Sequence, residues 1–342
     1  MNEEVLYLFL NMNYEFSKEL VNKSSHDDLT RRTKNFINNK GIVYNGDKVY
    51  LVVDGIIVKS LDMSEEVIEV LELESDSEYS NLNFLVTIEF QDKTVTEVTL
   101  KDYLLGTLAT NAYLSLEDET LKALALLYRT YAYKEMKEKG KISAINSFAI
   151  YKPISFYKLL WLSEFNNIYK RLEDSVDSTD REFVTWNDEY VLPFIHISNN
   201  GYTTDSDEYD YLKKKASLWD YTSPYYLDIQ EFGYEELCDI FNCSREDIQN
   251  LTILEVTNNN RIKKVKIGNH TYSGVAFKNI LSLKSDDVTI LIDNKRIRFV
   301  TRGYGNSLGI SQFGANEMAK AGYLYSQLIN YYFTDIKLKR YV

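Results

Sequence analysis

The stretch KDYLLGTLATNAYLSLEDETLKALALLYRTYAYK, residues 101–134, decides how this chain folds. Within it Ser115 and Asp118, three positions apart, have the form of a capping box. Leu121, Leu124, Ala125, Tyr128, Tyr131 and Ala132 then recur at three- and four-residue intervals, the period of a helix with one apolar face. The spacing predicts a buried helix from about Leu116 to Lys139.

Upstream, FLVTIEF (84–90) and TVTEVTL (94–100) alternate like paired strands leading into the helical segment. Downstream, 153–176 reads as a second helical stretch, and EFVTWNDEYVLPFIHIS as a hairpin turning at Asn187-Asp188. From 226 a short helix around Cys238 and Cys243 precedes two hairpins, LTILEVTNNNRIKKVKIG and VTILIDNKRIRFV. The glycine-punctuated TRGYGNSLGISQFGA then enters a helix stopped by Gly322, and YLYSQLINYYF forms another. At the other end, KGIVYNGDKVYLVVDGIIVKS carries turn signals at Asn45-Gly46 and Asp54-Gly55 and predicts a small meander. The acidic run 62–78 reads as a solvated helix face or linker. The expected architecture is α+β, with antiparallel sheets and hairpins against packed helices. A small β-rich N-terminal lobe with its acidic linker spans 1–80, and a main domain spans 81–342.

Composition narrows the function. A net charge of −12 repels nucleic-acid phosphates and anionic membrane, so neither partner is favoured, and no apolar run approaches the roughly 20 residues of a transmembrane helix. The opening MNEEVLYLFLNMNYEF has two acids where a secretory leader is basic, so the expectation is a cytoplasmic chain or one that has lost its leader, and the compartment stays open. Cys238 and Cys243 read as half-buried small apolar residues, and the three histidines, His26, His196 and His270, form no zinc motif. There is no P-loop or dinucleotide fingerprint, so no cofactor is expected. The 28 Tyr and 16 Phe beside only 3 Pro suit sheets wet on one face; a groove in which aromatic faces pack on sugar rings is the lesser reading, since most such residues simply pack.

Residues 301–338, TRGYGNSLGISQFGANEMAKAGYLYSQLINYYFTDIKL, resemble the C-terminal signature of the SpoIID/LytB family, in which a Gly-His-Gly and a Ser-Gln-Tyr-Gly-Ala precede a helix. Residues 101–134 are similar to the family's other signature, a Glu-Met-Pro followed by a helix containing Arg-Thr-Tyr-Ala. VTWNDEYVLPFIHISNNGYTTDSDEY resembles a stretch that carries Ser-Gly-Gly and Thr in the family. The resemblance spans roughly 85–342 in the family's order.

That resemblance implies cell-wall chemistry, in several members the lytic cleavage of peptidoglycan glycan strands stripped of stem peptides. Such cleavage needs a carboxylic acid to protonate the leaving oxygen. The family's candidate acid is the glutamate of Glu-Met-Pro, eight residues before the acid that opens the helix; counting back from Glu119 places Asn111 there. An amide supplies no titratable proton at ordinary pH. The histidine of Gly-His-Gly is likewise replaced, the segment reading Gly305-Asn306-Ser307. Some relatives carry a His/Cys/Cys zinc site, but KISAINSFAIYKP has neither residue type, so no metal is implied.

The resemblance therefore points to a catalytically degenerate copy that binds glycan strands or scaffolds a cell-wall hydrolase partner. The alternatives are an active transglycosylase using Asp118 or Glu119 as a non-standard acid, with Glu117 a further choice, or an intracellular interaction module reusing the fold. Arg129, His196, Tyr304, Asn306, Ser311 and Gln312 are the candidate substrate-binding residues. Against these roles stand plain ones. Acids at a helix start complement the dipole, His196 is a satisfied structural histidine, Tyr304 packs under its loop, and Ser311 and Gln312 cap a helix.

Overall fold

The computed structural model describes residues 40–53, 56–63, 71–74, 81–257 and 259–342. The opening stretch to residue 39, the turn at Asp54-Gly55, most of the acidic run 62–78 and the lobe boundary at Ser80 lie outside them. The described chain begins with β1 (Lys40–Asn45), β2 (Lys48–Val53), β3 (Ile56–Asp62), β4 (Leu71–Glu74), β5 (Leu85–Glu89) and β6 (Val95–Thr99). Next come α1 (Leu100–Asn111), α2 (Asp118–Lys139), β7 (Ile142–Ser143), α3 (Ile154–Trp161), α4 (Phe165–Ser178), β8 (Glu182–Trp186), β9 (Glu189–Tyr190) and β10 (Ile195–His196). The remainder is β11 (Leu227–Gly233), α5 (Tyr234–Phe241), α6 (Arg245–Gln249), β12 (Thr252–Val256), β13 (Ile262–Ile267), β14 (His270–Ser273), α7 (Gly274–Ile280), β15 (Val288–Ile292) and β16 (Arg296–Arg302). It closes with β17 (Ile310–Ser311), α8 (Gln312–Lys320), α9 (Tyr325–Tyr332) and β18 (Lys337–Tyr341). The fold is α+β, and most strand pairs are antiparallel.

Two compact units emerge, each assembled from segments distant in sequence. One comprises Met1–Ser64, His196–Thr204 and Lys214–Ser307. In it β1, β2 and β3 form the meander expected from the sequence, with Asn45 opposite Lys48 across the Gly46 turn. Alternation along β2 buries Val49, Leu51 and Val53, and the last two pack on Leu218, Tyr221, Tyr226, Leu291 and Val300. The hairpins β12–β13 and β15–β16 stand where the sequence placed them. Cys238 and Cys243 are half-buried and free, packed beside a core that includes Leu237, Phe241 and Phe277.

The other unit comprises Glu65–Ile195, Asp205–Lys213 and Leu308–Val342. Its axis is α2, buried along most of its length, with Asp118 and Glu119 in the first turn and Lys137 and Lys139 in the last, both favourable to the helix dipole. The start differs from expectation. Glu117 occupies the cap without a side-chain bond, so Ser115 is not the capping residue. The segment ahead of it is a helix of its own, α1, capped by Thr99, whose Oγ1 accepts from the Asp102 amide at 3.1 Å. The sequence showed strands leading straight into α2 because α1 is buried on many sides and carries no amphipathic stripe.

The second helical stretch is likewise two helices, α3 and α4, broken where Leu162 takes a φ of 46°. The Asn187-Asp188 turn has both residues at positive φ, as a two-residue hairpin between β8 and β9 requires. Gly106, inside α1, answers to packing. A Cβ there would come within 2.7 Å of the Tyr151 ring, and its absence admits residues 150–152 against the helix.

Candidate functional site

That close crossing builds the environment of Asn111, the last residue of α1. Its Nδ2 donates to the carbonyls of Thr107 and Ile150, both at 2.7 Å, and its Oδ1 accepts from the Ile150 amide at 3.3 Å. The primary amide thus copies one rung of a backbone ladder, donating and accepting against the same residue. A carboxylate can fill only the accepting half of that pattern.

The turn after Asn111 is held from α8, the helix that the glycine loop enters. Gln312 is buried; its Nε2 donates to the Asn111 carbonyl at 2.9 Å, and its Oε1 accepts from the Tyr113 amide at 3.4 Å. One helical turn later on the same face, Asn316 accepts from the Glu117 amide at 2.7 Å and so satisfies the start of α2. Ser311 caps α8 itself, its Oγ accepting from the Gly314 amide at 3.0 Å. Asn316 was not singled out from the sequence, although its spacing of four from Gln312 places both on one face.

The alternative acids are engaged too. Asp118 pairs with Arg171, the guanidinium reaching its Oδ1 at 2.7 Å while also bonding the carbonyls of Leu114 and Leu116. Glu119 accepts from Lys122 at 2.5 Å through one oxygen and from the Tyr325 amide at 2.8 Å through the other, capping α9. Glu117 is exposed. Tyr103, Tyr128 and Tyr131 are buried on α1 and α2, and burial pushes their phenols above the ordinary value. Tyr151, beside Tyr103, is pushed up to about 12. These hydroxyls stay neutral at any physiological pH and are poor proton donors.

Arg129 is fully buried on α2, away from any surface a ligand can reach. Its Nη2 donates to the Val176 carbonyl at 2.7 Å; its Nη1 donates to the Thr179 carbonyl and, at 3.0 Å, to the Thr179 hydroxyl. Burial holds its pKa below the usual guanidinium value. The residue is a positive plug on the negative end of α4, which locks α4 against α2.

His196, Tyr304 and Asn306 belong to the other unit. His196 is buried, and Asn199 determines its hydrogen bonding. The Asn199 Oδ1 accepts from the Gly201 amide at 2.8 Å, which turns Nδ2 toward His196 Nε2 at 3.2 Å. Nε2 is therefore the accepting nitrogen of the ring. Gly305, at φ 118°, passes so close that a Cβ would lie 2.7 Å from the His196 Cβ, which explains part of the glycine run. Tyr304 is half-buried, edge-on to Tyr225 with Lys284 Nζ 4.5 Å from its ring centroid, and Asn306 is exposed. Ser307, where the family resemblance expects glycine, retains a left-handed φ of 57° and buries a hydroxyl without a hydrogen-bond partner.

Beneath this loop lies a buried polar network. Asn200 donates to Asp287 at 2.7 Å, and Arg302 bonds the other Asp287 oxygen at 3.0 Å. Arg261 donates to the Gly305 carbonyl at 2.6 Å. Such a network shapes and stiffens a loop.

A family model described as SpoIID, stage II sporulation protein, matches residues 90–186. The chain is 27% identical over 261 residues to stage II sporulation protein D of Bacillus subtilis (strain 168), an alignment covering 72% of this chain and 76% of that protein. It is 25% identical over 260 residues to stage II sporulation protein D of Bacillus amyloliquefaciens, covering 71% and 75%. The family match contains α1, α2 and Asn111, and the alignments extend well beyond it.

Proposed function

We propose, from the premise that this chain belongs to the SpoIID family, that it serves in sporulation-related cell-wall remodelling as a glycan-binding or scaffolding member lacking the usual acid. The observation that carries this reading is Asn111, where both ends of the amide are bound to backbone. An active site keeps its proton donor aimed at the leaving group, whereas this side chain has been absorbed into the frame. The competing reading, an active transglycosylase, asks Asp118 to leave Arg171 or Glu119 to uncap α9. The partner on our reading is a peptidoglycan glycan strand, or a cell-wall hydrolase that acts on one.

The test incubates wild type and Asn111→Glu with glycan strands stripped of stem peptides. Bound protein is read by sedimentation and anhydromuramyl products by mass spectrometry. We expect wild type to bind without releasing product. Release by wild type that disappears in Glu119→Gln or Asp118→Asn would establish the enzyme instead, and failure to bind would remove glycan as the ligand.

A further inference from the structure

We propose that the apolar tip formed by α3 and Leu162 docks onto an anionic lipid surface. The sequence of α3, ISFYKLLW, is apolar on every side but one, and a helix of that kind is ordinarily buried. Here Phe156, Leu159, Leu160 and Leu162 are exposed by 45%, 60% or more, with Leu159 reaching 80%. Tyr157 is the one buried residue of the helix, and its hydroxyl donates to Thr110 on α1 at 2.8 Å. The segment is thus held by Tyr157 while its leucines project, with Phe156, Leu159 and Leu160 on one helix face by their spacing and Leu162, at φ 46°, directly after the helix. A contiguous exposed apolar patch of this kind marks an interaction site.

Charge selects the occupant. From 151 to 164 the segment contains Lys152 and Lys158 against the single acid Glu164, a local excess of positive charge within a chain of net charge −12. Both lysines are exposed, and neither forms an ion pair among the described residues; Lys152 Nζ lies 4.9 Å from the Phe156 ring centroid. Leucines at a tip, flanked by lysines and by the half-exposed Trp161, match the composition of segments that lie in a bilayer interface. The tip is far too short to cross the bilayer, so insertion is shallow. This inference does not depend on the glycan reading.

The experiment uses the full chain and vesicles of phosphatidylglycerol with phosphatidylcholine, and of phosphatidylcholine alone, read by co-sedimentation. Wild type is expected to sediment with the anionic vesicles and much less with the neutral ones. Leu159→Ser with Leu162→Ser should weaken that binding at least about tenfold, two leucines' worth of apolar burial being more than sufficient. Lys152→Gln with Lys158→Gln should remove the preference for anionic lipid. All four positions are exposed, so circular dichroism should be unchanged. Four results would each overturn the proposal: no sedimentation of wild type, equal binding to both vesicles, equal binding by the leucine variant, or a wild-type dimer that the leucine variant dissociates.

Discussion

Replacing Asn111 by Asp changes one atom type and almost no volume, yet the structure makes it the more damaging of two obvious substitutions. Asn111→Ala removes two donated bonds of 2.7 Å and one accepted bond of 3.3 Å. At about 1 kcal/mol net for each good bond, and less for the long one, the loss is about 2 kcal/mol, with water reaching the half-exposed site. Asn111→Asp retains the accepted bond but places a negative charge against the carbonyls of Thr107 and Ile150, at the negative end of α1. That adds about 0.3–1 kcal/mol from the dipole alone, for a total near 3 kcal/mol. For a cooperative unit of roughly 150–250 residues this lowers Tm by about 6–12 °C.

The pH dependence has a definite sign. The introduced carboxyl is better accommodated protonated, when it can donate to one of those carbonyls, so its folded pKa lies above the ordinary value near 3.9. Its stabilising form is present at low pH and is lost as pH rises through the folded value. The deficit against wild type should therefore be full at neutral pH and shrink toward pH ~4. Urea denaturation of wild type, Asn111→Ala and Asn111→Asp at both pH values tests the account. An Asp variant as stable as wild type, a smaller loss for Asp than for Ala at neutral pH, or a deficit that widens on acidification would refute it.

Arg129→Met strips the buried end of α4 of its donors and should cost about 3–5 kcal/mol by urea denaturation, so a loss under about 1 kcal/mol would contradict the plug role. Glu119→Gln retains an acceptor for the Tyr325 amide and should stay within about 1 kcal/mol of wild type, whereas Glu119→Ala should lose about 1 kcal/mol more as α9 loses its cap. Ser307→Gly relieves a left-handed residue at φ 57° and removes a buried hydroxyl without a partner, and should raise stability by about 1 kcal/mol in the same assay. Burial raises the phenols of Tyr103, Tyr128, Tyr131 and Tyr151, the last to about 12. Their contribution is intact below the ordinary tyrosine value near 10 and is lost as pH rises toward and past 12, so tyrosinate absorbance should appear together with unfolding rather than ahead of it.

The sequence by itself determined the elements whose cause is local. The period of Leu121, Leu124, Tyr128 and Tyr131 specifies α2, Asn187-Asp188 specifies the hairpin turn, and the runs LTILEVTNNNRIKKVKIG and VTILIDNKRIRFV were legible as hairpins. It also placed an amide where the family resemblance expects an acid. What that amide does was decided by tertiary structure, since Asn111 bonds a residue 39 positions away and Gln312 reaches back to it across 201. The same holds for Arg129. Its position on α2 was legible, but its burial against the end of α4, 47 to 50 residues on, follows from packing and makes it a structural clamp. Capping was misread at Ser115 for a related reason: the amide of Glu117, the residue that caps α2, is bound by Asn316, 199 residues distant. Periodicity is written along the backbone within a few residues, whereas hydrogen-bond partners are chosen among groups that only the folded chain brings within 3 Å.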